Sequence, residues 1–192
     1  MRIEQEKQID AREQLIVAAQ ALYAEAGVAA TTPRQVLQRS GIGQGSLYHH
    51  FPSKRDLARA AVERTAQEQL RVAEGVLVGD VNAHQRIRSY LLRDRNALAG
   101  CRIGRLTADE AVTSDENLLE PVEGYFTGLI ELLVSALEES GMPHDRAQDR
   151  AAAIVAVVQG GYVLARATGD PERMRSAVRG MAALLEGDRD DH

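Results

Sequence analysis

The chain has 192 residues and a mass of 20.9 kDa, which is enough for one or two small domains with a buried core. It is 44% hydrophobic and 27% charged with a net charge of −5, which excludes wholesale disorder and a globally basic nucleic-acid binder. The single cysteine, Cys101, excludes a disulfide framework within the chain, and an aromatic content of 4% favours helices over an all-β fold.

The N-terminal segment gives no sign of export. Met1 to Asp10 is charged throughout, whereas a signal peptide has a positively charged start followed by an apolar stretch. The longest apolar run, Ala151 to Val158, is far shorter than the roughly 20 residues that a membrane-spanning helix needs. We therefore expect a soluble, cytoplasmic protein without a membrane partner.

Helix signals predict an all-α chain of about nine helices. In the N-terminal part, Gly27 ends the first helix, and Thr32 with Pro33 forms an N-cap and first helical position for the second. Pro52 ends the third helix and Ser53 caps the fourth. The predicted ranges are 11–26, 33–40, 44–51 and 54–76.

Five further helices follow a break near Gly75 and Gly79. Asn82 caps the fifth, which we expect to extend to Leu98, and a short sixth helix follows Cys101. Ser114 caps the seventh, whose apolar residues cover more than half of its circumference and predict burial on most sides. The last three are predicted at 114–139, at 144–168 and from 171, where apolar residues recur at helical spacing.

The segment from Thr31 to Leu57 carries the most informative pattern. Two short helices joined by Gly41-Ile42-Gly43 have the outline of a helix-turn-helix, whose second helix lies in the DNA major groove. Gln44 and Ser46, at the start of that helix, have side chains suited to base edges. Residues 31–59 carry five Lys or Arg against one Asp, a local balance of +4 that suits an anionic partner.

The remaining exposed positions suit the same use. Gly45 lets the backbone approach closely, and Tyr48, His49 and His50 have polar tips that reach phosphates or bases. Lys54 begins the next helix, where its charge and the helix N-terminus both attract phosphate. Leu47 and Phe51, four residues apart, point into the core.

At these residues the sequence resembles the TetR family of bacterial transcriptional regulators. The motif positions are filled by Gly27, Thr31-Thr32, Gly41-Ile42, Gly45-Ser46-Leu47-Tyr48-His49-His50-Phe51 and Ser53-Lys54-Arg55-Asp56-Leu57. The match covers about the first third of the chain, and the remainder matches only in length and helical character.

The resemblance implies a helix-turn-helix domain at residues 1–56 and a ligand-binding and dimerisation domain at residues 57–192. It implies a sequence-specific DNA-binding regulator, and family frequency favours a repressor released from its operator by a small molecule. The homodimer would form through the helices near 144–168 and 171–186. The implied DNA contacts are Thr32, Pro33, Arg34, Gln44, Gly45, Ser46, Tyr48, His49, His50 and Lys54, of which Pro33 departs mildly because it offers no N–H.

Other interpretations of these residues remain open. The two helices could form a purely structural hairpin, with Tyr48 and His50 capping its core. Adjacent histidines on a helix diverge by about 100°, so His49 and His50 do not predict a metal site. We expect no cofactor and no enzyme, because the chain lacks the nucleotide-loop, G-x-S-x-G and H-E-x-x-H motifs.

The effector pocket is predicted from apolar and aromatic residues of the C-terminal domain. Its candidates are Ile103, Leu106, Tyr125, Phe126, Leu129 and Tyr162, although the aromatic ones could equally be core. Arg102, Arg105 or Arg166 could meet an anionic ligand or simply lie at the surface. Cys101 is either a small buried hydrophobe or a thiol sensor.

One rival function comes from a different class of protein. The negative net charge and the apolar seventh helix would also suit a helical small-molecule-binding or catalytic bundle that never contacts DNA. The sequence names neither the effector nor the operator, and it does not separate a repressor from an activator.

Overall fold

The computed structural model describes residues 2–187, with side chains from residue 11 to residue 186. Within that part of the chain there are nine α-helices, one short 3-10 helix at Gly104–Ala108 and no strand, so the predicted all-α class is confirmed. The helices are α1 (Arg2–Ala26), α2 (Pro33–Ser40), α3 (Gln44–His50), α4 (Lys54–Leu77), α5 (Ala83–Leu92), α6 (Glu110–Thr113), α7 (Glu116–Glu139), α8 (His144–Thr168) and α9 (Glu172–Gly187).

The chain forms two compact units. The first comprises the residues up to Gln67 together with Arg102–Glu123, and the second comprises Glu68–Cys101 together with the residues from Gly124 onward. The segment 102–123, which the sequence analysis placed in the C-terminal domain, therefore belongs to the unit that holds the N-terminal helices. The domain boundary between residues 56 and 57 stays a prediction.

The core of the first unit forms where α1 packs against α2 and α3. On α1, Leu15 and Ala19 have no exposed surface and Leu22 and Tyr23 are also buried, whereas Ala26, predicted on the same face, is exposed. Burial of this apolar stripe gives α1 its stability in the unit, because it removes apolar area from water at about 25 cal/mol per Å². Val36, Leu47, Phe51 and Leu57 complete the core from the following helices.

The core of the second unit lies among α5, α7, α8 and α9. Leu129 and Leu133 of α7 and Ile154 of α8 are completely buried. Helix α8 packs closely on α9, because Gly161 leaves room for Met174: a Cβ at Gly161 would lie 2.4 Å from its Sδ. The apolar stripe of α9 is divided, since Met174 and Val178 are buried whereas Leu184 is 64% exposed.

Several predicted helix boundaries are wrong. Helix α1 begins at Arg2, well before Ala11, because its first residues are helix-forming but lack the apolar spacing used to predict it. Helix α5 ends at Leu92 instead of Leu98, where the Arg95 side chain donates to the carbonyl oxygen of Leu91 at 2.7 Å. The backbone leaves the helical conformation at Arg93, where ψ is 147°, and the Arg95 side chain satisfies a carbonyl of the last turn.

The start of α7 was also assigned to the wrong residue. Ser114 follows the last turn of α6 and donates its backbone N–H to the Glu110 carbonyl at 3.1 Å. Asp115 caps α7 instead, because its carboxylate accepts the Asn117 N–H at 3.0 Å. The region after Cys101 holds a 3-10 helix followed by α6 in place of one short helix.

Helix α8 is the one described helix that is long and apolar enough to cross a membrane by length and composition. Its apolar run from Ala151 to Val158 is interrupted only by Gln159, and apolar residues resume from Gly160 to Leu164. About a third of the apolar window, 33%, is buried within the chain. The helix therefore presents an apolar surface that its own chain leaves exposed.

The glycines of α7 and α8 allow a matched test of the packing. Gly161→Ala places a methyl group against Met174, and we expect a loss of about 1–3 kcal/mol in the free energy of unfolding. Gly124→Ala, at a helix position where a Cβ meets nothing within 4 Å, gains about 1 kcal/mol from helix propensity. Urea unfolding measures both, and equal stabilisation of the two variants would contradict the packing described.

Candidate nucleic-acid interface

The start of α2 is fixed by a reciprocal capping box. The Thr32 backbone N–H donates to the Gln35 side-chain oxygen at 2.7 Å, and Thr32 Oγ1 accepts the Gln35 backbone N–H at 3.3 Å. Pro33 occupies the first helical position, as predicted, where its missing N–H leaves no donor unsatisfied. The orientation of α2 is thus set by local hydrogen bonds at its first turn.

The turn between α2 and α3 depends on glycine. Gly41 has φ +70°, a left-handed conformation that other residues adopt at a cost, and its N–H donates to the Leu37 carbonyl at 3.0 Å. Helix α3 then runs from Gln44 to His50, and Leu47 and Phe51 are each 3% exposed. Because these two residues face the core, the opposite side of α3 faces solvent.

Six of the predicted contact residues lie on α3, and the other four lie at the starts of α2 and α4. Tyr48 is 47% exposed, which favours a reading surface over the alternative in which it caps the core. A small depression between α2, α3 and the start of α4 is lined by Thr32, Pro33, Tyr48 and Lys54, so residues from three helices meet there. Exposed members are Thr32, Arg34, Gln44, Gly45, Tyr48, His49 and Lys54, and half-buried ones are Pro33, Ser46 and His50.

Charge pairing separates the basic residues of this region into two groups. Arg39 pairs with Glu25 at 2.6 Å, Arg59 pairs with Glu120 at 3.3 Å, and Arg55 pairs with Asp115. Arg34 and Lys54 form no ion pair or hydrogen bond through their side chains with any residue from 11 to 186. The two cations left available for an anion are therefore two of the predicted DNA contacts.

His49 and His50 are the last two residues of α3. Their ring centroids lie 5.1 Å apart with the planes at 70°. Partial burial, together with the charges of His49 and Arg12, lowers the pKa of His50, which favours its neutral form. Among the side chains that the structure describes, no group of three or more His, Cys, Asp or Glu residues could hold a metal ion.

The loop that precedes α2 is held by a residue that the sequence analysis missed. The Asp109 carboxylate accepts the backbone N–H groups of Val28 at 2.6 Å and of Ala29 at 3.2 Å. It also accepts the N–H of Ala111 at 3.0 Å, so the same side chain caps α6. Gly27, with φ +90°, is required here, because a Cβ would lie 2.4 Å from the Asp109 carboxylate.

A second bond supports the same arrangement. The Arg105 guanidinium donates to the Ala24 carbonyl near the end of α1. Burial and, less strongly, the Asp109 charge raise the pKa of Tyr23, so its hydroxyl stays protonated. A capping role for Asp109 could have been read from the sequence, but its bonds to a loop about 80 residues away could not.

The residues predicted to line the effector pocket fall in different units. Ile103 and Leu106 are buried in the first unit, and Tyr125, Phe126, Leu129 and Tyr162 belong to the second. The rings of Tyr125 and Phe126 meet edge to face at 5.1 Å. Burial and the neighbouring Cys101 and Tyr90 raise the pKa of Tyr125. Their role in binding a ligand stays a prediction.

Two of the arginines considered for an anionic ligand, Arg102 and Arg166, are exposed, whereas Arg105 makes the bond to Ala24. Cys101 is half-buried and, as the single cysteine of the chain, forms no disulfide within it. Both alternatives for Cys101, the small hydrophobe and the thiol sensor, therefore stay open.

Family models match most of the chain. The model for bacterial regulatory proteins of the tetR family matches residues 15–61, and the model for the LmrA/YxaF-like transcriptional regulator C-terminal domain matches residues 80–179. The first match contains α2 and α3 together with the exposed surface described above. The second covers 100 of the 192 residues, counted from 80 to 179 inclusive.

Individual relatives agree with these models. The chain is 30% identical to the uncharacterized HTH-type transcriptional regulator Rv0196 of Mycobacterium tuberculosis, over 91% of this chain and 93% of that protein. It is 25% identical to the HTH-type transcriptional regulator LmrA of Bacillus subtilis, over 81% and 86%. A shorter stretch of 46 residues is 48% identical to the HTH-type transcriptional repressor KstR2 of Rhodococcus jostii.

Solved structures show the same fold. A TetR transcriptional regulator from Chloroflexus aurantiacus superposes with a TM-score of 0.79 at 26% identity, covering 97% of both chains. The reduced form of NemR from E. coli superposes with a TM-score of 0.74 at 25% identity, covering 89% of this chain and 95% of that one.

Asp109 gives this region its clearest stability test. Asp109→Ala leaves two loop N–H groups and one helix N–H without their acceptor, and we expect the free energy of unfolding to fall by about 1–3 kcal/mol. Glu110→Ala, an exposed neighbour in the same turn, is the control and should change stability by less than about 0.5 kcal/mol. Equal losses in the two variants, measured by urea unfolding, would contradict the role of Asp109.

Proposed function

Since the chain belongs to the TetR family of bacterial transcriptional regulators, we propose that it represses transcription from a DNA operator and is released by a small-molecule ligand. It is a DNA-binding transcriptional regulator with a helix-turn-helix. The single observation that carries the proposed DNA surface is that Arg34 and Lys54, near the starts of α2 and α4, form no ion pair or side-chain hydrogen bond with any residue from 11 to 186.

The chemistry of the side chains on this surface indicates which of them would contact phosphates and which would contact bases. Arg34 and Lys54 would bind phosphates, since their charges are free while three nearby arginines are neutralised by carboxylates. Gln44 and Ser46, at the N-terminal end of α3, would contact base edges. Tyr48 and His49 extend the surface along α3, and the predominantly neutral His50 would act by hydrogen bonding.

The phosphate contacts can be tested by salt dependence. We expect Arg34→Ala and Lys54→Ala each to lower the affinity for duplex DNA from the chain's own upstream region by roughly tenfold. Each should also reduce the slope of log affinity against log salt by about 1, because one fewer counterion is released. Fluorescence anisotropy at several salt concentrations measures both effects.

The matched control is Arg59→Ala, which removes a cation that is already paired with Glu120. It should leave the affinity and the salt slope within error of the wild type. If Arg59→Ala weakens binding as much as Lys54→Ala, the surface assigned here does not contact the phosphates. Tyr48→Ala should also weaken binding while the protein stays folded, because nearly half of its surface is exposed.

Regulators of this family act as dimers, and the exposed face of α8 and α9 supplies the proposed interface. On α8, Val163 is 66% and Leu164 is 51% exposed, and on α9 Leu184 is 64% exposed. Small exposed residues between them allow two helices to approach closely: Ala152, Ala153, Ala156, Ala167, Gly180 and Ala183. A second copy of the chain, rather than lipid, would then cover the apolar face of α8.

A single charged substitution on the exposed face of α8 tests the proposed dimer interface. Val163→Glu would bury a carboxylate between the two copies without a partner, at a cost of several kcal/mol, so we expect the dimer to dissociate. Val78→Glu, at a position that is 58% exposed outside this face, is the matched control and should stay dimeric. Light scattering after size-exclusion chromatography measures the mass, and a dimeric Val163→Glu variant would exclude this interface.

The rival function, a helical bundle that never contacts DNA, is not supported by these similarities. We propose that the chain catalyses no reaction and acts in the cytoplasm, where its operator lies. The support for both is that its family consists of transcriptional regulators. Repression rather than activation is supported by the repressors among its relatives.

A further inference from the structure

We propose that a small organic carboxylate with an apolar body binds in a cavity beside the C-terminal end of α5, anchored by the Arg93 guanidinium. The cavity has a volume of about 270 Å³ and lies wholly within the second unit. It is not formed by the residues that the sequence analysis assigned to the effector pocket. Its lining residues come from the segment 92–97 and from the start of α9.

Arg93 is the anchor because its guanidinium has no partner. It forms no ion pair or hydrogen bond with any side chain or carbonyl among residues 11–186, and its Nε is buried. The guanidinium carbon lies 5.0 Å from the centre of the Tyr90 ring, and this aromatic contact holds the group in place. A planar cation fixed in this way presents a fork of N–H donors that matches a carboxylate.

Arg95 adds a second positive charge without a counter-ion. Its guanidinium lies 5.2 Å from the centre of the same Tyr90 ring and donates to the Leu91 carbonyl at 2.7 Å. Burial and, less strongly, the charge of Arg93 lower the pKa of Arg95. Burial also raises the pKa of Tyr90 and of Tyr162, so neither hydroxyl supplies a negative charge.

The rim of the cavity is also positively charged. Arg175 and Arg179 line it from α9, and both hydrogen-bond the single carboxylate of Glu172 at 2.6 Å. These two hydrogen bonds, and less strongly the charges of the arginines, lower the pKa of Glu172 to about 2. With Asp94 as the acidic lining residue, four arginines face two carboxylates, so a bound anion would relieve an excess of two positive charges.

The other lining residues of the cavity indicate the chemistry of the part of the ligand that does not contact Arg93. Leu92, Ala97, Pro171, Met174 and Val178 supply an apolar surface, and Met174 and Val178 are buried in the core. The volume of about 270 Å³ lies just below the roughly 300–1,000 Å³ found for ligand pockets, which favours a small molecule. An apolar wall facing a cationic one selects an amphipathic monocarboxylate over a hydrated inorganic ion.

The binding test uses thermal shift on the full chain with acetate, butyrate, hexanoate, octanoate and benzoate, each compared with its primary amide. We expect at least one carboxylate to raise the melting temperature by about 2 °C or more, and its amide to have no effect. Arg93→Gln should abolish the shift and still fold, because the Arg93 side chain makes no hydrogen bond that would be lost. Asp94→Asn should increase the shift by removing a repulsive charge.

The control is Arg173→Gln, an exposed arginine on α9 that does not line the cavity and should keep the full shift. The proposal is overturned if no carboxylate stabilises the protein, if the amides act equally, or if Arg93→Gln keeps the shift. Inorganic phosphate acting as strongly as the best carboxylate would show an unselective anion site instead. An Arg93→Gln variant that loses its dimer and binds no carboxylate would assign the cavity to a contact between subunits.

That the carboxylate is the effector rests on the proposed function, and a second measurement separates the two. We expect the stabilising carboxylate to weaken the binding of upstream DNA by roughly 5- to 150-fold in the wild type and not in Arg93→Gln. If the protein binds DNA with an affinity that does not change when the carboxylate is added, only the effector role is contradicted. If the protein binds the carboxylate but no DNA, the proposed function is contradicted and the assignment of the cavity still holds.

Discussion

The burial of Leu47 and Phe51 is the constraint on which the DNA-binding surface depends. Helix α3 has only seven residues, and an isolated helix of that length is not stable in water. Its conformation therefore comes from two side chains fixed in the core, which also determine which side faces outward. The glycine turn at Gly41 and the capping box at Thr32 set the direction from which the chain enters α3. The exposed polar residues of α3 can vary with the operator without loss of the fold.

The proposed DNA surface can lie on an acidic chain because the basic residues of this region differ in whether they are paired with carboxylates. The net charge of −5 would repel DNA if it were spread evenly over the surface. Carboxylates instead lie beside Arg39, Arg55 and Arg59, so these arginines contribute little field beyond their own ion pairs. Arg34 on α2 and Lys54 on α4 have no such ion pair with any residue from 11 to 186. The local balance of +4 counted in the sequence thus overstates the number of cations available to phosphate.

The sequence predicts well those features that depend on neighbouring residues. The cap at Thr32, the turn at Gly41 and the inward positions of Leu47 and Phe51 all follow from spacing and backbone preference. The end of α5 was predicted six residues too late, because the backbone leaves the helix at Arg93 and the Arg95 side chain then bonds to the Leu91 carbonyl, and no local sequence pattern marks this change. The bonds from Asp109 to Val28 and Ala29 span 81 and 80 residues, and no local pattern marks them.

Cations without a carboxylate partner occur at both proposed binding sites, the DNA surface and the cavity beside α5. The chain has 28 carboxylates and 23 Lys or Arg, so acidic partners are not scarce, and most arginines near the DNA surface have one. Leaving Arg93 without a counter-ion, with its Nε buried, costs stability that a nearby carboxylate or an apolar replacement would avoid. Arg34 and Lys54 keep their charges in water, where no such cost arises. The cost at Arg93 is balanced once an anion occupies the cavity, so binding and stability should rise together there. A purely structural arginine would show no such coupling.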